Sequence, residues 1–130
     1  MEGGAVTGTP RLVLRGEGLM MMVLASLGFA WTGLSWWLFA LLFFAPDLGF
    51  LAYAAGPRLG AVIYNVLHTT MLPAALALCG WLVDASLLLG IAAVWAAHIG
   101  FDRMVGYGLK YGTGFGDTHL GRIGRSRVAA

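Results

Sequence analysis

Asp47, His68, His98 and Asp102 are the residues of this chain whose types and spacing can do chemistry. Imidazole nitrogens and carboxylate oxygens are the donors that hold divalent cations such as zinc. His98 and Asp102 are four residues apart, so a helix puts them on one face, where the carboxylate can fix the tautomer and orientation of the ring. Tyr64, Asn65 and His68 share a face for the same reason. The stretch "AHIGFDRMVGYGLKYGTGFGDTHLG", Ala97 to Gly121, adds Arg103, Asp117 and His119, and Glu17 is an acid inside an earlier apolar run.

Three chemistries fit these groups. His68 and His98, with oxygen from Asp47 and from Asp102 or Glu17, can bind a divalent metal, which in a hydrolase would activate water. His68 and His98 can instead ligate one haem or pass protons. Alternatively the groups answer one another in a polar network that includes Glu17, Tyr64, Asn65, Arg103, Asp117 and His119, with Arg103 paired to Asp102 or Glu17. The spacing is no recognised metal motif of the H-E-x-x-H kind.

These groups sit in a very apolar chain. Of its 130 residues, 59% are hydrophobic and 11% charged, against about 25% charged in soluble domains. An ordinary soluble domain is excluded, and the lipid bilayer is the first partner. A hydrocarbon core about 30 Å thick needs about 20 apolar residues per helix, and four stretches qualify: 12–32, 34–55, 59–82 and 85–105, followed by a glycine-rich tail, 106–130. The expected fold is all-α, a single integral membrane domain of four bundled helices. "TGLS" and "AGPR" mark turns, with Pro57 able to open the third helix. Asp84 is placed to cap the fourth. Pro46 and Pro73 fall inside the second and third spans, and each frees a carbonyl that must find another partner in the membrane. The first span reads as a retained helix, because its charged leader is long, Glu17 lies within it and three spans follow.

All eight basic residues lie before or in the first turn of the first span, between the second and third, or from the last turn of the fourth onward. The positive-inside rule therefore places both termini in the cytoplasm. At about 1.5 Å per residue, His68 then lies about 14 Å deep, Asp47 about 12, His98 about 10, Glu17 about 8 and Asp102 about 5. Every helix thus sends a polar group to one cytoplasmic half. A charge at such depth costs at least about 2.5–3.5 kcal/mol, so these groups must pair, protonate or bind something.

Other motifs fail on context. "VGYG", Val105 to Gly108, is part of a potassium-channel filter but here precedes a tail, and "GYGLKYG" follows no strand. The terminal "RIGRSR" reads as an orientation anchor or a contact for anionic lipid, and nucleic acid is not an expected partner. "LMMMVL", Leu19 to Leu24, is packing material, and the single cysteine, Cys79, a small apolar filler. Ala93 with Ala97 and Ala96 with Gly100 form small-residue pairs that serve close packing inside the bundle or a homodimer seam. Seven glycines after Val105 disfavour a continuous helix, which leaves two courses for the tail: a polar surface loop, or a cover over the bundle's mouth that brings Asp117 and His119 to the site.

"APDLGFLAYAAGPRLGAVIYNVLHT", Ala45 to Thr69, with the Ala97–Gly121 stretch and the "RGEG" of Arg15 to Gly18, resembles the small bacterial membrane family of domain of unknown function 4260. The resemblance covers nearly the whole chain. It implies a bacterial cytoplasmic membrane location and functional positions at Glu17, Asp47, Asn65, His68, His98, Asp102, Arg103, Asp117 and His119, but no activity. "APDL" and "AHIGFDR" are more loosely similar to membrane-bound metal-dependent hydrolases. The reading put first is a multi-pass accessory or assembly subunit of a membrane complex. The alternatives are a metal-binding protein, including a metal-dependent hydrolase, and a haem-binding or proton-relay protein.

Overall fold

A computed structural model of the chain describes residues 4–123. Helix α1 (Gly8–Thr32) is continuous, and α5 (Ser86–Val105) closes the bundle. The second span is divided into α2 (Trp36–Leu42) and a 3₁₀ helix, Ala45–Ala55. The third is divided into α3 (Pro57–His68) and α4 (Met71–Leu82). Each of the four spans is long and apolar enough to cross a membrane. The chain is therefore the expected all-α bundle, with two of its four spans broken.

Both breaks lie beside prolines. Pro46 has no N–H to give the Leu42 carbonyl, and the chain turns to tighter bonds, with the Asp47 N–H donating to Phe44 O at 3.0 Å. Runs of 3₁₀ helix beyond 3–4 residues are uncommon, yet this one spans eleven residues and carries Asp47 in its first turn. Pro73 likewise cannot donate to the Thr69 carbonyl, and the backbone is extended at Thr69 (φ −78°, ψ 143°). The carbonyls freed at the end of α3 are answered by side chains of α5. Trp95 Nε1 donates to Leu67 O at 2.6 Å and Arg103 Nη2 to His68 O at 3.4 Å, satisfying groups that hydrocarbon cannot.

Asp84 does not cap α5, as the sequence led us to expect. It takes a left-handed conformation (φ 52°), while its N–H reaches Trp81 O at 3.3 Å and the Ala85 N–H reaches Gly80 O at 2.8 Å. These two bonds form a Schellman closure of α4, so Asp84 ends one helix and leaves Ala85 to precede the next without a side-chain cap.

Helices α1 and α5 form the main interface. A Cβ on Gly18 would lie 2.7 Å from Gly100 O, and one on Gly100 only 2.6 Å from Gly18 O, so the two backbones approach as closely as glycine allows. Gly100 and Ala97 are thus buried within the chain. Large apolar side chains point outward, Trp31 at 92% exposed and Trp37 at 84% among them, the polarity expected of a surface that meets lipid. Cys79 is also exposed and does not fill the core.

The tail begins with a second Schellman closure. Gly106 (φ 94°) supplies the left-handed residue, and the Tyr107 N–H donates to Asp102 O at 2.7 Å. The chain returns across the end of the bundle and forms a short antiparallel pair, β1 (Asp117–Thr118) with β2 (Gly121–Arg122). The N-terminal segment joins it there, with the Val6 N–H donating to His119 O at 2.8 Å and Tyr111 Oη to Gly4 O at 2.6 Å. Arg125 and Arg127 of "RIGRSR" lie outside the described residues.

Candidate functional site

His68 ends α3, His98 and Asp102 lie one turn apart on α5, and Asp47 comes from the 3₁₀ helix. One donor atom from each converges on a single point. His68 Nε2 lies 3.2 Å from His98 Nε2, 3.4 Å from Asp47 Oδ1 and 3.3 Å from Asp102 Oδ2. His98 Nε2 is 3.2 Å from both carboxylate oxygens, and all four donors lie within 4.8 Å of one another.

The surroundings orient the two rings differently. His68 Nδ1 lies 2.8 Å from the Tyr64 carbonyl. A carbonyl only accepts, so this nitrogen carries the proton and Nε2 presents a lone pair to the cluster. Tyr64 also stacks on the His68 ring, centroids 3.7 Å apart and 7° from parallel. His98 Nδ1 is buried without a hydrogen-bond partner among the described residues. Its ring is held by packing against Phe43, centroids 5.3 Å apart at 74°.

The cluster is closed toward the bundle and open on one side. The side chains of His68, His98 and Asp102 are at most 9% exposed, whereas that of Asp47 is 28% exposed. Asp47, His98 and Asp102 share a cavity of about 300 Å³ with Tyr107, Lys110 and Phe115 of the tail. The tail therefore takes the covering course, but with residues other than Asp117 and His119.

Asp117 and His119 are not brought to the cluster. Asp117 accepts from Thr113 Oγ1 at 2.7 Å and faces Arg122 Nε at 3.8 Å, and His119 Nδ1 accepts the Leu109 N–H at 2.8 Å. Both hold the tail's own fold. Burial, then the nearby Arg103 guanidinium, keeps the His119 pKa below the usual histidine value. Glu17 is exposed on α1, away from the four donors. Arg103 serves the His68 carbonyl, and among the described residues it forms no ion pair with Asp102 or Glu17. Asn65 clips the tail: its Nδ2 donates to Lys110 O at 2.8 Å and its Oδ1 accepts the Lys110 N–H at 2.6 Å.

Lys110, read from the sequence only as an orientation charge, is a buried member of the site. Its Nζ donates to Phe115 O at 2.7 Å and lies 3.7 Å from the Phe115 ring centroid and 4.7 Å from that of Tyr64. Burial lowers its pKa to about 8, against the opposing pull of Asp102 and Asp47. The signal in the sequence was that Lys110 is the chain's single lysine among seven arginines.

No curated protein and no solved structure matches the chain. A family model does, over residues 11–123, a range that takes in all four spans, the four converging donors and the clip between Asn65 and Lys110. The chain belongs to the family described as Domain of unknown function (DUF4260).

Proposed function

We propose that this protein is a membrane-embedded metalloprotein that binds one divalent ion, zinc first among them, through Asp47, His68, His98 and Asp102. One observation carries the reading. Donors bound at about 2.0–2.2 Å around a tetrahedral ion stand about 3.3–3.6 Å from each other; five of the six separations here are 3.2–3.4 Å, and the sixth, between the two carboxylate oxygens, is within 4.8 Å. The donors come from three separate segments, so their meeting is not a by-product of one helix's spacing. A gap of 3.2 Å between the two rings leaves no room for a porphyrin, which favours a small ion over haem. Asp47 lies on the cavity wall, so its displacement would open a coordination position to an incoming molecule, the arrangement that metal-assisted hydrolysis requires. We place the site in the cytoplasmic half of a bacterial cytoplasmic membrane, on the distribution of basic residues.

The accessory-subunit reading makes the four groups a cross-link. Polar contacts between membrane helices contribute only about 0.6 kcal/mol on average, little against the cost of about 2.5–3.5 kcal/mol for each charge at depth. A second reading, proton sharing without metal, is favoured by one atom. With no acceptor at Nδ1 among the described residues, neutral His98 gains more by carrying its proton on Nε2 and donating to Asp47 or Asp102.

Elemental analysis separates these readings. Protein purified without chelator from zinc-supplemented cells is expected to hold about one ion per chain, lost in the His68→Ala, His98→Ala double variant while helical circular dichroism persists. Metal-free wild-type protein that takes up no zinc on titration overturns the metal reading in favour of proton sharing or a structural network.

A further inference from the structure

The cavity over the cluster has a charge pattern that the four donors do not explain. Lys110 is only 4% exposed, and among the described residues it has no carboxylate in ion-pair contact. Its one acceptor is the Phe115 carbonyl, and the two remaining N–H directions of the ammonium have no described acceptor. A lone cation buried beside aromatic rings is costly unless an anion answers it. Asn65 clamps the backbone at Lys110 and the Phe115 carbonyl holds Nζ, so the ammonium is fixed in the cavity wall.

The net charge of the cavity wall depends on the ion. Asp47 and Asp102 with Lys110 sum to one negative charge, and a dication turns that sum to one positive. The loaded site therefore suits an anion. The cavity's volume of about 300 Å³ is at the low end of the roughly 300–1,000 Å³ of ligand pockets, enough for a headgroup but not for a lipid's chains. Its rim is aromatic and half-exposed: Phe44 at 64%, Phe50 at 40%, Phe115 at 45%. Such a rim lets an apolar portion pass outward toward the lipid.

We propose that this cavity binds the anionic, phosphate-type headgroup of a membrane amphiphile, with Lys110 as its counter-charge and Phe44, Phe50 and Phe115 lining the exit of its apolar part. The inference rests on the metal reading for the sign of the charge, and on Lys110 for its position.

The test uses the full chain in nanodiscs of neutral phosphatidylcholine, either zinc-loaded or chelated, titrated with dioctanoyl phosphatidic acid, inorganic phosphate or dioctanoyl phosphatidylcholine. We expect the loaded protein to bind phosphatidic acid, with affinity falling roughly tenfold or more in Lys110→Met, as befits one charge-assisted contact, and largely kept in Lys110→Arg. Inorganic phosphate should bind more weakly than phosphatidic acid, and phosphatidylcholine not at all. Because Lys110 is the only lysine, wild-type protein gives an independent readout: bound phosphatidic acid should slow acylation by an amine-reactive reagent, read at the Lys110 peptide by mass spectrometry so that the α-amino group does not contribute. Equal binding of phosphate and phosphatidic acid overturns the amphiphile and leaves a free-anion site. Metal-loaded protein that binds neither anion, with unslowed acylation, overturns the inference and leaves the metal centre standing. Protein that takes up no zinc yet protects Lys110 with phosphatidic acid sinks the metal reading alone, whereas no zinc and no protection sinks both.

Discussion

His68 Nε2 and His98 Nε2 face each other at 3.2 Å, and the proton on the far nitrogen of His68 is committed to the Tyr64 carbonyl. Two lone pairs at that distance repel unless a proton or a cation lies between them, so the two rings act as a unit. Single replacements His68→Ala and His98→Ala should each weaken zinc binding by on the order of 100-fold or more, and the double variant should lose little beyond either. Competition against a chromophoric chelator measures this. Losses that simply add would mean that the two histidines do not share an ion.

Gly18→Ala tests the α1–α5 contact. The new Cβ would fall 2.7 Å from the Gly100 carbonyl, whereas at Gly16 nothing lies within 4 Å. Overpacking of this kind costs about 1–3 kcal/mol. The Gly18 variant should melt lower than wild type in detergent, and Gly16→Ala should match wild type or exceed it, because alanine is the better helix former. Equal melting temperatures for the two variants would contradict the close approach.

Trp95→Phe removes the donor that answers the Leu67 carbonyl at the break after α3. A buried carbonyl left without a partner costs about 1–3 kcal/mol, so thermal stability should drop by about that amount. Since Leu67 adjoins His68, zinc affinity should weaken in parallel. A variant as stable as wild type would show that the break is satisfied some other way.

His119 ties the tail's stability to pH. Its pKa is held below the ordinary value of 6.5 in the folded chain, so the released tail binds a proton more readily than the docked one. Docking is therefore fully stabilised above pH 6.5 and loses that contribution as pH falls toward the lowered value. Protonation also removes the acceptor that Nδ1 offers to the Leu109 N–H. Exchange of the Leu109 amide, corrected for its intrinsic rate, should be faster at pH 5.5 than at pH 7, and in His119→Ala fast at both. A wild-type rate that does not change with pH argues against this anchor.

Much of this was legible in the sequence, for reasons that differ by residue. Span count followed from apolar length, and the meeting of Asp47, His68, His98 and Asp102 was foreshadowed by their donor types and their shared half of the bundle, although Glu17, placed in the same half, stays outside the cluster. Pro46 and Pro73 announced that carbonyls would be freed. Which donors would answer the Leu67 and His68 carbonyls at the break after α3 was not readable, since Trp95 and Arg103 reach across from another helix. The 3₁₀ course of Ala45–Ala55 was hidden because apolar length cannot distinguish helix types. Asp84 misled because its left-handed backbone ends α4 and so cannot present its carboxylate as a cap to α5. Asp117 and His119 looked like site residues by type, but tail geometry turned them to neighbouring backbone and hydroxyl groups and put Lys110 at the mouth instead.

The bond between Val6 and His119 joins the two ends of the described chain, and this orders the protein's birth. The first helix is made early in synthesis, but the segment ahead of it finds its partners, Tyr111 and His119, only in the tail. The two ends of the described chain therefore settle together, and a change in one should be felt in the other.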